Sequence, residues 1–318
     1  MKSRLTFAGW MLAASLGLSM NPVRAQTTAE ITETAEQVER LGSEAAQALM
    51  RVYDYDATIP LEARIVEKQE RDGLTREKIV FRGVQGFLVP GYLQYPTERE
   101  TPSPCVLLLH GWSGSKDHWW KDDGYISGGN VRRGLMEEGF AILALDALCH
   151  GDRIAQNDFA PVNHYRAEDD TNPRKGYFTQ EDIYIQTTRD YRRAIDFLEM
   201  RADIDSDRIG MLGYSMGGTQ TYLLTGVEPR VKVSVAVAAP AERSKFSPIA
   251  PQNFVQGIGE RPFLTIMGTA DTMCPVPHAR GRFSLIDNSI SDQRFFDGGH
   301  RLSADWVPGA IAWIVDHL

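Results

Sequence analysis

A serine set in a tight turn between a predicted strand and a predicted helix restricts the fold of this chain more than any other feature. Residues 209–212 form a short apolar run, typical of a buried strand, and residues 216–225 have the composition of a helix. Between them, residues 213–217 read Gly-Tyr-Ser-Met-Gly, which matches Gly-x-Ser-x-Gly. Glycines on both sides let the backbone pack closely, and the turn presents Ser215 at the positive end of a helix. The pattern predicts a nucleophilic serine; an ordinary glycine-rich turn is the alternative unless catalytic partners are present.

Composition supports a globular protein and argues against several kinds of partner. The chain has 318 residues, of which 42% are hydrophobic and 24% are charged, as in ordinary globular proteins. Its formal charge of −8 argues against nucleic acid or an anionic membrane as a partner. It contains no His-Glu-x-x-His, no Cys-x-x-Cys and no phosphate-loop lysine motif. We therefore predict no metal and no cofactor.

Residues 1–25 have the three parts of a secretory signal peptide. Lys2 and Arg4 make a positive start, residues 5–20 are mostly apolar, and residues 23–25 read Val-Arg-Ala. We predict cleavage after Ala25 and export to the periplasm or the medium, with no membrane span left in the mature protein. An uncleaved membrane anchor is the alternative.

The remaining chain divides by its hydrophobic periodicity. Helical spacing over residues 28–52 predicts an N-terminal helical extension, which we place at 26–60. Residues 61–318 read as a single domain that begins with antiparallel strands around a hairpin turn at Asp72-Gly73. Predicted strands and helices then alternate, which indicates a mostly parallel twisted sheet with helices on both faces. The strands are predicted at 106–109, 141–145, 209–212, 231–238, 263–267 and 293–296, and the helices at 130–138, 184–201, 216–225 and 306–317.

Residues 152–182 interrupt the alternation of strands and helices. This segment is polar, contains two prolines and carries scattered aromatic residues. A connection this long is commonly either a cover over a binding site or a solvated excursion. Both interpretations, a lid and a loose loop, are consistent with the sequence.

Two further residues complete a catalytic set with Ser215. A serine hydroxyl needs a base beside it, and an acid must orient that base. Asp271 follows the predicted strand at 263–267, and His300 follows the strand at 293–296 in Asp-Gly-Gly-His. The order Ser, Asp, His is the one expected with this turn. We predict Ser215 as nucleophile, His300 as base and Asp271 as acid, with Glu242 as the alternative acid.

The same chemistry requires hydrogen-bond donors for the oxyanion of a tetrahedral intermediate. One is expected from the backbone N–H that follows the nucleophile, at Met216, and one from the loop after the strand at 106–109. Residues 110–114 of that loop read His-Gly-Trp-Ser-Gly, so we predict the Trp112 N–H as the second donor. His110 is expected to support the loop and not to act in catalysis.

In combination, these motifs resemble the α/β-hydrolase fold, and within it the dienelactone-hydrolase and acetyl-xylan-esterase-like group. The resemblance rests on residues 84–96, 110–117, 146–152 and 205–218, and on Asp271 and 298–300, and it covers roughly residues 80–318. Residues 146–152 read Asp-Ala-Leu-Cys-His-Gly-Asp, with Cys149 where the group usually has glycine. Dienelactone hydrolases use a cysteine nucleophile, so Ser215 points to the serine esterases of the group.

The resemblance implies a serine hydrolase that cleaves carboxylic esters, with a small-molecule or carbohydrate ester as substrate. Trp112, Trp119 and Tyr214 are the candidate substrate-binding residues, and packing in a core is the alternative for the two tryptophans. The first alternative is a serine peptidase of the prolyl-oligopeptidase type, although the roughly 80 residues before the core strands are too few for the β-propeller such enzymes carry. The second is a non-catalytic binding protein on the same fold.

Overall fold

A computed structural model describes residues 26–27, 32–166 and 171–318, so the predicted signal peptide at 1–25 lies outside the described residues. In this part of the chain, ten strands form one sheet. They are β1 (Gln26–Thr27), β2 (Arg64–Arg71), β3 (Leu74–Arg82), β4 (Leu88–Pro96), β5 (Ser103–Leu109), β6 (Ala141–Leu145), β7 (Ile204–Tyr214), β8 (Val231–Val237), β9 (Phe263–Gly268) and β10 (Asp292–Phe296).

The sheet is mostly parallel, as predicted. Its strand order is β1-β10-β9-β8-β7-β5-β6-β4-β3-β2. The six strands from β10 to β6 in this order run parallel, while β1, β4, β3 and β2 pair antiparallel at the two edges. Arg71 pairs with Leu74, which confirms a two-residue hairpin turn at Asp72-Gly73. All strand ends that carry predicted site residues therefore meet at one edge of the parallel region.

Helices cover both faces of the sheet. The described helices are α1 (Ser43–Met50), α2 (Gly128–Glu137), α3 (Asp152–Gln156), α4 (Gln180–Glu199), α5 (Met216–Val227), α6 (Val276–Phe283) and α7 (Val307–His317). On β5, Val106 and Leu108 pack in the cluster that α2 and α7 cover, whereas Leu107 and Leu109 pack in the cluster that α4 covers. Successive residues of a strand point to opposite faces, so a strand covered on both sides is apolar throughout. None of the described helices is long and apolar enough to span a membrane.

The N-terminal extension is less helical than predicted. Within the described part of residues 26–60, the α-helix is α1, eight residues long, and a short 3-10 turn follows it. Residues 34–42 have no regular secondary structure and run along the domain, where the Glu36 N–H donates to the Pro277 carbonyl and the Leu41 N–H to the Asn253 side chain. The prediction of a helix over 28–52 was wrong in extent because these contacts to distant parts of the chain replace the helical hydrogen bonds of residues 34–42.

The segment at 152–182 is partly folded against the domain. It contains α3, a 3-10 helix at Val162–Arg166 and the first turn of α4. Tyr165 is buried, and its ring packs edge-on against Phe178. The described part of this segment is therefore a packed surface element and not a solvated excursion, and whether it acts as a lid stays a prediction.

Candidate active site

The turn that carries Ser215 has the strained geometry expected of a nucleophile at a sharp corner. Ser215 lies between β7 and α5 with φ 57° and ψ −113°, a backbone conformation that residues other than glycine rarely adopt. Its backbone N–H donates to the Val237 carbonyl, which ties the turn to β8. A Cβ at Gly217 would lie 2.0 Å from the Leu109 carbonyl oxygen, so this position accepts no side chain. Close packing between the turn and β5 thus fixes the serine at the edge of the sheet.

The structure brings Ser215, His300 and Asp271 into one hydrogen-bonded chain. Ser215 Oγ lies 2.8 Å from His300 Nε2, and His300 Nδ1 lies 2.9 Å from Asp271 Oδ2. The other carboxylate oxygen, Oδ1, accepts the Met273 N–H at 2.8 Å, and Asp271 is only 2% exposed. Because the carboxylate only accepts, Nδ1 carries the imidazole proton and Nε2 is free to accept from the serine hydroxyl. This is the arrangement that general-base activation of a serine requires.

Glu242, the alternative acid, is not part of this chain of hydrogen bonds. Its side chain accepts the N–H of Ser244 at 2.8 Å, within its own turn. Asp271 occupies the position beside His300 because β9 ends at Gly268, one strand away from the end of β10.

Tyr214 lies beneath the site. It is fully buried, so the prediction that it binds substrate was wrong. Its hydroxyl donates to the His300 carbonyl at 2.9 Å and accepts the Leu302 N–H at 3.0 Å. Burial raises the pKa of Tyr214 to about 12, so the hydroxyl keeps its proton at neutral pH. Tyr214, the residue before Ser215, therefore holds the backbone of the loop that carries His300.

The two tryptophans predicted to bind substrate differ in their surroundings. Trp119 is fully buried beneath α2, where the domain itself covers its large apolar side chain, so substrate binding was wrong for this residue and core packing, the alternative, is what the structure shows. Trp112 is half-buried, and its indole N–H donates to Asn163 Oδ1 at 2.7 Å. Asn163 in turn donates to Ser113 Oγ at 2.9 Å. Trp112 remains a candidate, and these bonds attach its loop to the segment at 152–182.

The predicted oxyanion donors lie on the two elements that flank Ser215. Met216 is the first residue of α5, where a helix leaves its N–H groups without intrahelical acceptors. Trp112 follows Gly111, and a Cβ at Gly111 would lie 3.4 Å from Ser215 Cβ, so this loop is directly beside the serine. The role of either N–H stays a prediction.

His110 supports residues 110–114, the proposed oxyanion loop, as expected from the sequence. Its Nε2 accepts the Ala147 N–H at 3.0 Å, so the proton lies on Nδ1, which donates to the Gly111 carbonyl at 2.8 Å. Burial lowers the pKa of His110 to about 4, which keeps the imidazole neutral. A neutral ring with one donor and one acceptor connects the loop after β5 with the loop after β6.

A buried ion network lies under the same loop and was not identified from the sequence. Lys116 is fully buried, and its Nζ lies 2.9 Å from Asp146 and 2.9 Å from Asp152, while its N–H donates to Asp146 at 2.9 Å. Lys78 of β3 also reaches Asp152, at 2.8 Å. Burial alone would lower the pKa of Lys116, but the two carboxylates outweigh it and raise the pKa. The network fixes the loops after β5 and β6 to each other.

The described residues contain no group of three or more His, Cys, Asp or Glu side chains placed to hold a metal ion. The side chains of Ser215, His300 and Asp271 are the chemical groups that the site itself supplies. A hydrogen-bonded serine, imidazole and carboxylate beside two backbone donors is an arrangement suited to acyl transfer.

Comparisons with known proteins agree with the fold. Residues 106–315 match a model of the alpha/beta hydrolase family. The chain is 25% identical over 209 residues to the putative hydrolase YtaP of Bacillus subtilis, covering 58% of this chain and 66% of that protein. It therefore spans less than two thirds of the length of that relative.

Other similar proteins include esterases. The chain is 21% identical over 262 residues to the esterase YjfP of Escherichia coli, covering 72% of this chain and 96% of that protein. Among solved structures, it is similar to an acetyl xylan esterase from Paenibacillus sp. R4, with a TM-score of 0.65 and 19% identity. That similarity covers 89% of this chain and 97% of the other, and it shows a shared fold.

Proposed function

Because the chain belongs to the alpha/beta hydrolase family, we propose that it is a serine esterase that cleaves carboxylic esters through an acyl-enzyme intermediate. The observation that carries the proposal is the hydrogen-bonded chain from Ser215 through His300 to Asp271, with distances of 2.8 and 2.9 Å. Esterases among the similar proteins support the ester as substrate.

In the proposed acylation step, Ser215 Oγ attacks the ester carbonyl carbon while His300 Nε2 accepts the serine proton. Asp271 holds the imidazole in the required tautomer and stabilises the imidazolium that forms. The carbonyl oxygen becomes an oxyanion, which the N–H groups of Met216 and Trp112 stabilise. His300 then gives its proton to the alcohol oxygen as the carbon–oxygen bond breaks.

In the proposed deacylation step, water replaces the alcohol. His300 accepts a proton from that water, which attacks the acyl carbon, and the carboxylic acid leaves as Ser215 regains its proton. Each residue of the set acts twice in this scheme, so a geometry that serves acylation also serves deacylation.

The experiment that tests the proposal is Ser215→Ala. We expect hydrolysis of p-nitrophenyl acetate to fall by about 10⁴-fold or more, because the residues of such a set act as a unit. Labelling by a fluorophosphonate probe, which reacts with the activated serine, should disappear as well. Ser284→Ala, at the end of α6, is the control and should keep both properties. A Ser215→Ala protein with wild-type turnover would refute the assignment.

Substrate and location form a second part of the proposal. We propose acetylated carbohydrates as substrates, because an acetyl xylan esterase shares the fold over 89% of this chain. A panel of acetylated xylan, simple acyl esters and aminoacyl-naphthylamides separates a carbohydrate esterase from a general esterase and from a peptidase. We also propose export with cleavage after Ala25, which N-terminal sequencing of the protein from its native host tests.

A further inference from the structure

Tyr125 lies beside the proposed nucleophile, in the long loop between β5 and α2, and no motif in the sequence marks it. Its ring packs edge-on against Tyr214, with centroids 5.7 Å apart, and against His118 at 5.9 Å. The guanidinium of Arg301 lies over the same ring at 5.3 Å. The ring is therefore held by the residue before Ser215 and by the residue after His300.

The Tyr125 hydroxyl lies close to Ser215. The position that a Cβ on Gly111 would occupy lies 2.5 Å from Tyr125 Oη and 3.4 Å from Ser215 Cβ. Since both distances share that point, Oη lies within about 6 Å of Ser215 Cβ, which is roughly the span of two hydrogen bonds. The hydroxyl thus fills the space that a side chain at position 111 would take.

This hydroxyl is available as a donor. Within residues 32–166 and 171–318 it has no hydrogen-bond partner, whereas the hydroxyls of the buried Tyr214 and Tyr191 each bind two backbone groups. Burial raises the pKa of Tyr125, although Arg301 acts in the opposite direction, so the phenol is protonated at neutral pH. A half-buried donor without a protein acceptor is suited to an oxygen of the substrate.

The Tyr125 ring belongs to a different apolar cluster from the residues of the proposed oxyanion donors. It packs against the core cluster covered by α2 and α7, whereas Met216 and Trp112 belong to the cluster beside α4 and α5. The Tyr125 ring packs on Tyr214, whose ring centroid lies 6.4 Å from that of His300, the residue that delivers the proton to the departing alcohol in the proposed reaction. A donor close to His300 is suited to the alcohol oxygen, because His300 delivers its proton to that oxygen in the proposed reaction.

We propose that Tyr125 is a further catalytic residue whose hydroxyl donates a hydrogen bond to the alcohol oxygen of the ester as it leaves. The inference rests on the proposed function. In the step concerned, the bond between the carbonyl carbon and the alcohol oxygen breaks, and its electron pair moves to that oxygen. His300 Nε2 supplies the proton, while Tyr125 keeps its own proton and stabilises the developing negative charge.

The leaving group decides how much this donor matters. An alkyl alcohol is a poor leaving group, so its oxygen carries much negative charge in the transition state. p-Nitrophenolate disperses that charge over its ring and needs little help from a donor. We therefore expect Tyr125→Phe to lower kcat/KM for ethyl acetate by about 10- to 100-fold and for p-nitrophenyl acetate by less than about twofold. The parameter kcat/KM reports the steps up to alcohol release, which include this one.

The control is Tyr92→Phe. Tyr92 is also half-buried, packs edge-on against Trp120 at 5.0 Å and has Arg76 over its ring at 4.8 Å, but it lies on β4. Tyr92→Phe should leave kcat/KM unchanged for both esters. Phenylalanine keeps the ring contacts at position 125, and a thermal melting curve verifies the fold of each variant.

Two results would overturn the role of Tyr125. Equal losses of kcat/KM for both esters would mean that the hydroxyl binds the oxyanion or has only a structural role. Unchanged kcat/KM for both esters would mean that the hydroxyl takes no part in the reaction. A wild-type protein that hydrolyses neither ester and takes up no fluorophosphonate would instead refute the proposed function, so the two failures are distinguishable.

Discussion

At the scale of single residues, the site depends on side chains that never meet the substrate. Tyr214 bonds both the His300 carbonyl and the Leu302 N–H from beneath the site. Both bonds act on the backbone that carries His300. We therefore expect the side chain to help hold the imidazole towards Ser215 without touching a reacting atom.

We predict that Tyr214→Phe lowers kcat by about tenfold and changes KM by less than about twofold, since the loss of one anchoring hydroxyl is on the order of 1 kcal/mol. Steady-state kinetics with p-nitrophenyl acetate measure both constants.

Tyr191→Phe is a matched control for Tyr214→Phe. The Tyr191 hydroxyl is equally buried, donates to the Leu108 carbonyl at 2.7 Å and accepts the Leu145 N–H at 3.1 Å. Both variants should lose similar thermal stability, and only Tyr214→Phe should lose turnover. The same kcat in both variants would show that Tyr214 has no positioning role.

At the scale of elements, two loops are joined by charges that water does not reach. Lys116 follows β5, Asp146 follows β6, and neither side chain is exposed. Breaking a buried pair leaves an unpaired charge in the interior, which costs far more than losing a surface pair. The oxyanion loop therefore depends on the loop after β6 for its position.

We predict that Lys116→Met lowers the free energy of unfolding by about 3 to 5 kcal/mol, because Asp146 remains buried without its partner. Urea titration monitored by fluorescence measures this. Lys68→Met makes the same exchange in the Lys68–Glu70 pair, which is more than half exposed, and should leave the transition almost unchanged. If the two variants unfold at the same urea concentration, the buried network is not a stabilising contact.

The elements show which parts of the fold the sequence could predict. Apolar runs such as 141–145 became strands at the predicted residues because burial on both faces leaves a clear pattern. Helix α6 was missed because Pro277 and Gly281 interrupt its pattern, and its Gly281 packs against the Glu36 carbonyl. Contacts between residues that are distant along the chain leave no pattern in the local sequence.

The residues of the site also divide into those that the sequence could predict and those that it could not. Ser215, Asp271 and His300 were predictable because each follows a strand in a motif with a physical requirement. Trp119 was a substrate-binding candidate because an aromatic residue near a functional loop gives the same sequence signal whether it faces solvent or the core. Tyr125 and the Lys116 network escaped notice because their partners are distant in the sequence.

At the scale of the whole molecule, we expect two buried histidines to make stability depend on pH. Burial lowers the pKa of His110 to about 4 and that of His150 to about 3. In the unfolded chain both rings bind protons near pH 6.5, roughly their ordinary pKa. Between about pH 6.5 and 4 the unfolded state therefore binds more protons than the folded state, so stability falls as the pH falls.

We predict that His150→Gln reduces the difference in unfolding free energy between pH 7 and pH 4.5 by about 2 to 3 kcal/mol, because one group with a lowered pKa is removed. Urea titrations at the two pH values measure the difference. His317→Gln, on the last turn of α7, is the control and should keep the wild-type difference. An unchanged difference in His150→Gln would mean that this ring is not responsible for acid sensitivity.

The proposed nucleophile, acid and base come from the ends of three separate strands, β7, β9 and β10, and Ser215 and His300 are 85 residues apart. No fragment of the chain that lacks one of these strands can assemble the set. After dilution from denaturant, the proposed esterase activity should therefore return later than the helical signal in circular dichroism, because activity requires the complete native state.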